Sequence, residues 1–297
     1  MTTNPSVGIV VLNWNNYEDT KECLSSIFKI DYEPYNIYVV DNGSTDNSYT
    51  KLKETFPSCN YTRNDENIGF SSGINSGINQ AMEDNCDYLL ILNNDTIVEP
   101  DFLQPLVETA ETNTQVAAVG GIIYYPDKEQ IWFAGGHINR YFSKIDINTN
   151  IKETTEYATE YIIGTMMLLN TEYLQKYGLL NDDYFFGSED QEFCQKAIKN
   201  GWNLMVNPDS KIIHKINSKS GSGNEFRFYH NTYNRLYFAS HHLNLHEKMI
   251  FYPYFLANRS VLLVIWLFKR RFTMILSVLY AVYDFITGVQ KKGTEFL

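Results

Sequence analysis

The sequence has few cysteines, and none are arranged to hold a zinc ion or a disulfide framework. Four cysteines occur in 297 residues, and no two lie at the short spacing of metal-binding pairs. Small buried thiols in a reducing compartment are the plain interpretation. The amino terminus also lacks the basic, then apolar, then small-residue layout of a secretory signal. We therefore expect a cytoplasmic protein.

Basic residues are scarce in the main body of the chain. Residues 1–247 hold 17 Lys or Arg against 33 Asp or Glu, a net charge of −16. Residues 248–297 hold seven against two, a net charge of +5. An acidic surface repels phosphate backbones, so nucleic acid is excluded as a partner of the body.

Apolar runs of strand length alternate with segments of helical periodicity. This alternation predicts an α/β fold with a mainly parallel sheet flanked by helices. A polar stretch at 124–160 predicts hairpins or a mobile loop. The predicted strands are 7–12, 36–40, 59–62, 88–92, 116–123, 161–169, 202–206 and 211–214; the predicted helices lie around 23–28, at 47–55 and 71–84, after 100, at 171–177 and at 188–199.

Polar side chains follow three of the predicted strands. Asp41 ends the second strand, Asn67 follows the third, and Asp95 follows the buried fourth. The carboxyl ends of parallel strands meet at one edge of a sheet, which is where open α/β sheets bind ligands. We expect these three side chains to lie along that edge.

Several short motifs follow one another in a specific order across roughly residues 5–240. Together they resemble the family 2 glycosyltransferases, which bind nucleotide sugars with the GT-A fold, and most of all the rhamnosyltransferase-like branch of bacterial surface-polysaccharide enzymes. The motifs are Val10-Val11-Leu12-Asn13-Trp14-Asn15, Val39-Val40-Asp41-Asn42-Gly43-Ser44-Thr45-Asp46, Asn67-Ile68-Gly69-Phe70, Asn93-Asn94-Asp95, and Glu189-Asp190 with His214 downstream.

The resemblance implies how the nucleotide of a sugar donor is bound. Asp41 would accept the N3–H of a pyrimidine base, with Asn13 and Trp14 lining the base and ribose pocket. From the residues alone, without the resemblance, a turn residue is an equally good interpretation of Asp41, and a core residue is an equally good interpretation of Trp14. Residues 221–234 are expected to form a loop that folds over the donor diphosphate, with Arg235 at its firm end.

A second set of residues is expected on the sugar and diphosphate side. Asn67, Gly69 and Phe70 precede a helix whose free N–H groups favour an anion, and glycine permits close approach of the backbone. An ordinary helix entry is the alternative. Asn75, one turn into the helix, would reach the sugar or the diphosphate.

Asn93-Asn94-Asp95 occupies the place of the family's DxD-type motif, which holds Mg²⁺ or Mn²⁺ against the two phosphates. Hard cations of this kind prefer oxygen ligands. Because the first acid is replaced by Asn93, Asp95 is the single carboxylate of the motif, and Asn93 and Asn94 are assigned to the donor. His214 would supply a second metal ligand, or else it is a buried hydrogen-bonded histidine.

Glu189 and Asp190 are the candidates for the chemistry. Glycosyl transfer needs a base that takes the proton of the acceptor hydroxyl, and the start of a helix favours a carboxylate anion. By resemblance Asp190 is the base and Glu189 positions the acceptor. Acidic residues are also common in any first helical turn.

The resemblance implies an inverting, metal-assisted glycosyltransferase domain over residues 1–245. The donor would be dTDP-rhamnose or a UDP-sugar, and the acceptor a hydroxyl of a glycan or lipid-linked saccharide. The alternative is a catalytically weak, nucleotide-sugar-binding partner subunit of a glycan-assembly complex. A nucleotidyltransferase would need a glycine-rich basic loop after the first strand, which Asn13-Trp14-Asn15-Asn16 does not supply.

The tail, residues 246–297, holds two apolar runs separated by Lys269-Arg270-Arg271. The runs, Val261–Phe268 and Phe272–Tyr283, are each shorter than the roughly 18 to 20 residues that span a bilayer. We predict a peripheral contact with the inner face of the cell membrane. The alternative is a helical hairpin that forms a homodimer interface.

Overall fold

The computed structural model describes residues 4–215 and 224–290, and confirms the α/β fold with a helical carboxyl-terminal region. A central sheet is flanked by helices. The strands are β1 Val7–Asn13, β2 Tyr35–Asn42, β3 Asn60–Asn64, β4 Tyr88–Asn93, β5 Thr96–Val98, β6 Val116–Tyr124, β7 Ile131–Phe133, β8 Gly136–Asn139, β9 Lys144–Ile147, β10 Tyr157–Thr159, β11 Met166–Asn170 and β12 Asn203–His214. The helices are α1 Tyr17–Ile27, α2 Ser48–Thr55, α3 Phe70–Glu83, α4 Leu103–Thr112, α5 Thr171–Tyr177, α6 Glu189–Lys199, α7 Asn224–His242, α8 Leu245–Phe268 and α9 Phe272–Thr287.

The sheet has the order β10-β12-β6-β11-β4-β1-β2-β3. Strands β3, β2, β1 and β4 are parallel, as predicted. Beyond β4 the sheet is mixed, because β11 inserts antiparallel between β4 and β6. The register of β1 places Asn13 beside Asp41 and Leu12 beside Asn93. The polar ends of the parallel strands are therefore aligned at one edge.

Two strand predictions need correction. The predicted strand at 161–169 is shorter, since β11 begins at Met166 and Tyr161 makes only an isolated bridge to Gly136. The segments 202–206 and 211–214 are one strand, β12, with a register shift between Val206 and Lys211.

The polar stretch at 124–160 contains the hairpin β8–β9 and the short strands β7 and β10. All four cysteines are buried and free of disulfide bonds.

The carboxyl-terminal region differs most from the sequence prediction. Residues 224–234 belong to helix α7, so the predicted loop is wrong there, while residues 221–223 lie outside the described part. The first apolar run of the tail is the end of a 24-residue helix, α8. Among the described residues, α8 alone is long and apolar enough to cross a membrane by length and composition.

Candidate active site

Asp41 lies fully buried at the end of β2, inside a set of hydrogen bonds. Its Oδ1 accepts from Asn13 Nδ2 at 2.8 Å, and its Oδ2 accepts from the backbone N–H of Ser44 at 3.1 Å. The Arg63 guanidinium lies 3.4 Å from the same Oδ2. The pyrimidine base expected at Asp41 must share this carboxylate with Arg63, whose side chain is half exposed. Trp14, which follows Asn13 in the loop after β1, is 38% exposed and is therefore not a core residue.

Arg63 is a residue of this site that no sequence motif indicated. It is the direct register partner of Asp41 on the neighbouring strand β3. A correct alignment of β2 against β3 would have placed the two side chains together.

The buried hydroxyl of Thr20 connects β1 to the DxD-type motif, Asn93-Asn94-Asp95. Thr20 Oγ1, on α1, lies 2.9 Å from Asn13 Oδ1 and accepts from Asn94 Nδ2 at 2.7 Å. Asn13 and Asn94 are thus held through one side chain. The arrangement fixes the loop between β4 and β5, which carries Asp95.

The loop before α3 is bonded to protein groups at the positions where an anion was expected. The N–H of Phe70 donates to the carbonyl of Phe185 at 2.8 Å, and Asn67 Oδ1 accepts from Asn42 and from the N–H of Gly69. Gly69 has φ +93°, and a Cβ there would lie 2.7 Å from the Phe185 oxygen. The close approach that requires glycine is therefore made to Phe185.

Asn75 also faces the protein. Its Nδ2 donates to the carbonyl of Leu180 at 2.8 Å and to Asp182 Oδ1 at 2.6 Å. The Ser71 hydroxyl donates to the carbonyl of Tyr184. The first turns of α3 are thus bonded to residues 180–185, and the amide donors of Asn75 are occupied.

Asp95 and His214 lie in direct contact. His214 Nε2 is 3.0 Å from Asp95 Oδ1, and the backbone N–H of Lys215 donates to the Asp95 carbonyl. Adjacent ligands of an octahedral cation with bonds of about 2.1 Å are separated by about 3.0 Å, so the two atoms can serve one hard ion. The described residues contain no cluster of three His, Cys, Asp or Glu side chains, so further ligands would come from elsewhere.

Glu189 and Asp190 open helix α6 after Ser188, which has φ +74°. Asp190 Oδ2 accepts from the Tyr161 hydroxyl at 2.5 Å and from the N–H of Gly164 at 3.1 Å. Glu189 Oε2 is buried without a hydrogen-bond partner. The two carboxyls are therefore adjacent in sequence but differ sharply in their surroundings.

Burial raises the pKa of Glu189 to about 8, and the neighbouring charge of Asp190 adds to the rise. Burial also raises the pKa of Asp190, but the hydrogen bonds from Tyr161 and Gly164 act in the opposite direction. The hydrogen bonds from Tyr161 and Gly164 favour the ionised form of Asp190, whereas Glu189 Oε2 has no partner, so the negative charge of the pair is better stabilised on Asp190 than on Glu189. Two neighbouring acids in different surroundings are suited to different roles in proton transfer.

Thr165 connects the acidic pair, Glu189 and Asp190, to the DxD-type motif. The backbone N–H of Asn93 donates to the Thr165 carbonyl at 3.0 Å, and Asn93 Nδ2 lies 3.3 Å from Thr165 Oγ1. The preceding residue, Gly164, binds Asp190. Asn93 and Asp190 are thereby joined through two consecutive residues, which the spacing of the motifs alone does not reveal.

Arg235 lies in α7 and not in a loop. Its guanidinium donates to the carbonyls of Phe142 and Ser143 and packs against the rings of Phe251 and Phe255. These contacts give the Arg235 guanidinium a structural role. The structure therefore does not support the prediction that Arg235 lies over the donor diphosphate. Its neighbour Asn234 donates to the carbonyl of Phe186 at 3.0 Å, in the aromatic loop before α6.

The family model described as "Glycosyl transferase family 2" matches residues 7–178, more than half of the chain. The chain belongs to glycosyl transferase family 2. The matched range includes Asn13 and Asp41 in β1 and β2 and Asp95 in the loop after β4, and it stops before Glu189 and Asp190.

Curated relatives of this family 2 chain are found in archaea and bacteria. A Methanococcus voltae dolichyl N-acetyl-alpha-D-glucosaminyl phosphate 3-beta-D-2,3-diacetamido-2,3-dideoxy-beta-D-glucuronosyltransferase is 26% identical over 68% of this chain and 64% of its own length. A Haloferax volcanii glucosyl-dolichyl phosphate glucuronosyltransferase is 28% identical over 40% of this chain and 37% of its own. A Staphylococcus aureus poly-beta-1,6-N-acetyl-D-glucosamine synthase is 31% identical over 36% and 26%. The chain spans less than two thirds of each of these relatives, and none of the three supports the narrower rhamnosyltransferase placement.

Two solved structures share the fold of the family 2 chain. GalNAc-T7 with UDP, GalNAc and Mn²⁺ has a TM-score of 0.64 at 15% identity, over 86% of this chain and 57% of that one. The mannosyltransferase PcManGT of Pyrobaculum calidifontis, with GDP-Man and Mn²⁺, has a TM-score of 0.57 at 15% identity, over 97% and 89%. At this identity the likeness establishes the fold.

Proposed function

We propose that the protein transfers a sugar from a nucleotide-diphosphate donor to a hydroxyl group of a glycan or lipid-linked saccharide. The observation that carries the proposal is the buried pair Glu189 and Asp190, joined through Gly164 and Thr165 to the motif that ends in Asp95. Family membership and the nucleotides and Mn²⁺ in the two similar structures support it. No observation favours an inactive partner subunit.

The reaction we propose is a single displacement. The Asp190 carboxylate takes the proton of the acceptor hydroxyl as its oxygen attacks the anomeric carbon, and the bond to the diphosphate breaks. The configuration inverts, and no covalent nucleophile is needed. Glu189, which keeps its proton at neutral pH, donates a hydrogen bond to the acceptor.

Asp95 and His214 are the residues that would hold a divalent cation, and the two amides Asn93 and Asn94 adjoin them. When bound, Mg²⁺ or Mn²⁺ supplies positive charge against the leaving diphosphate. Asp41 would accept the base N–H of a uracil or thymine nucleotide once Arg63 moves aside. This pairing favours a UDP-sugar or dTDP-rhamnose as the donor.

A panel of nucleotide sugars tests the proposal. With Mn²⁺ present, UDP-sugars or dTDP-rhamnose at about 100 times their dissociation constant should raise the melting temperature by roughly 5 °C, because they bind only the folded state. GDP-mannose should have a smaller effect, and Asp41→Asn should reduce the uridine-dependent rise. The absence of stabilisation by every member of the panel would contradict the proposed function, whereas stabilisation without transfer or donor hydrolysis would indicate a binding subunit.

Tyr161→Phe is expected to move the acid limb of the kcat/KM profile upward by about one pH unit. The Tyr161 hydroxyl stabilises the ionised form of Asp190, and such a bond to a charged group contributes about 1.5 kcal/mol or more. Its loss raises the pKa of Asp190, so the base becomes protonated at a higher pH. The control is Tyr157→Phe, since that buried hydroxyl donates to the Ala134 carbonyl. A profile that keeps its position while kcat falls at every pH would limit Tyr161 to a packing role.

A further inference from the structure

Exposed apolar side chains are concentrated in the last two helices. Of the 24 large apolar side chains exposed among the described residues, 16 lie between Leu245 and Val289. Six of these side chains define a surface that we call the hairpin face: Leu256, Val264 and Phe268 on α8, and Leu279, Tyr283 and Ile286 on α9. Their exposed fractions range from 50% to 85%. An apolar patch of this extent marks an interaction surface.

The hairpin face consists of one stripe on each helix. Val264 and Phe268 are four residues apart, and Leu279, Tyr283 and Ile286 follow the spacing of one helical face. Other side chains of the same helices are buried against the body, such as Arg259 and Trp266 on α8. Each helix therefore has one side on the protein and one side without a protein partner among the described residues.

Polar contacts bind both helices to α7. Arg259 Nη2 donates to Asn231 Oδ1 at 2.8 Å, and the Tyr229 hydroxyl donates to Asp284 Oδ2 at 2.8 Å. The Thr273 hydroxyl donates to Glu225 near the start of α9. If α8 crossed a bilayer, these groups of α7 would be drawn into hydrocarbon or lose their partners, which is costly. The packing therefore favours helices that lie along a surface.

A cationic turn joins the two stripes. Lys269, Arg270 and Arg271 are exposed between α8 and α9, and none forms an ion pair with another described residue. The body, in contrast, has a net charge of −16. An anionic surface attracts the turn and repels the body, so it selects one orientation of the molecule.

We propose that the hairpin face and the cationic turn dock the protein on an anionic lipid bilayer, with α8 and α9 lying in the headgroup region. Apolar side chains on one side and cations at the rim are what an interfacial helix requires. The anionic inner leaflet of a cell membrane fits this surface. The proposal does not depend on the glycosyltransferase function.

Arg140 links the docking surface to the helix that carries the acidic pair. Its guanidinium binds both oxygens of Glu247 at the start of α8, at 2.6 and 2.9 Å, and donates to Gln195 of α6 at 2.5 Å. Docking of α8 therefore sets the orientation of α6 relative to the bilayer. An acceptor anchored in that bilayer would approach the site from a fixed side.

Flotation of the full chain with lipid vesicles tests the proposal. We expect binding to phosphatidylglycerol-containing vesicles and little binding to pure phosphatidylcholine. Neutralising the turn with Lys269→Gln, Arg270→Gln and Arg271→Gln should reduce partitioning by about 100-fold, since each charge near the surface contributes roughly a factor of five. The charge-matched control is Lys29→Gln, Lys51→Gln and Lys53→Gln in the body, which should leave partitioning within about threefold of the parent.

A second pair of variants separates apolar insertion from charge. Phe268→Ser with Phe272→Ser should weaken binding to anionic vesicles at least tenfold, whereas Ile147→Ser with Ile151→Ser, two apolar side chains that are 41% and 40% exposed on the body, should not. Protein that stays at the bottom with every vesicle and is a dimer by light scattering would make the hairpin face a homodimer interface and overturn the proposal. Protein that binds membranes but resists alkaline extraction would place α8 across the bilayer, which also overturns it.

Discussion

Asp190→Asn is expected to lower kcat by about 10³-fold and to leave the affinity for the nucleotide sugar nearly unchanged. A positioned general base contributes roughly 10² to 10⁴ in rate, and an amide cannot accept the proton of the acceptor hydroxyl. The substitution keeps the size of the side chain and one oxygen for the Tyr161 hydroxyl. Transfer rates at saturating donor, together with calorimetric titration of the donor nucleotide, measure the two effects separately.

Glu189→Gln is the matched comparison. Because burial keeps a proton on Glu189 at neutral pH, the neutral amide resembles the native side chain, and we expect less than about a tenfold loss of kcat. If Glu189→Gln were the more damaging substitution, the two acids would have exchanged roles. If Asp190→Asn retained turnover, Asp190 would be removed from the chemistry.

Asp95→Asn is expected to reduce kcat/KM by about 10²-fold at a fixed Mn²⁺ concentration, and to raise the concentration that gives half-maximal activity. The motif has only one carboxylate, so its loss leaves His214 as the single strong donor of the pair. Binding of Mn²⁺ followed by electron paramagnetic resonance gives a readout that does not depend on turnover. Asp101→Asn, an exposed carboxylate beyond β5, is the control.

Asn93→Asp should act in the opposite direction. It introduces the carboxylate that the DxD-type motif would have, and the amide that it replaces makes only a 3.3 Å contact with Thr165. The Mn²⁺ concentration for half-maximal activity should therefore fall severalfold. Unchanged metal dependence in both Asp95→Asn and Asn93→Asp would exclude this strand end as the metal site.

The sequence was sufficient for the features that depend on local pattern. Continuous apolar runs predicted β1, β2 and β4, and the strand register aligns the polar residues Asn13, Asp41 and Asn93 at the edge where Asp41, Asn67 and Asp95 were expected. These predictions succeed because a buried strand and the turn that follows it are specified by neighbouring residues. The same holds for α6, whose start at Glu189 is signalled by the acidic residues of its first turn.

Contacts between distant segments could not be predicted in this way. Arg63 meets Asp41 only through the register of β2 and β3, and Tyr161 meets Asp190 across 29 residues of chain. Gly69 was assigned to a ligand, yet its neighbour is the Phe185 carbonyl. Residues 224–234 were expected to form a loop because the sequence just before them is rich in glycine and serine. They belong instead to helix α7, which is stabilised by its contacts with α9.

The hydrogen bonds between α3 and residues 180–185 have a consequence for substrate binding. Phe70 and Asn75 lie on the side expected to receive the donor, and their partners Phe185 and Leu180 belong to the loop that leads to Glu189 and Asp190. The expected donor side and the loop that leads to the acidic pair are therefore joined by these hydrogen bonds. Because coupling between two binding sites is reciprocal, we expect the nucleotide sugar to change the dissociation constant of the acceptor by the same factor as the acceptor changes that of the nucleotide sugar, and calorimetric titration of each in the presence of the other measures this factor.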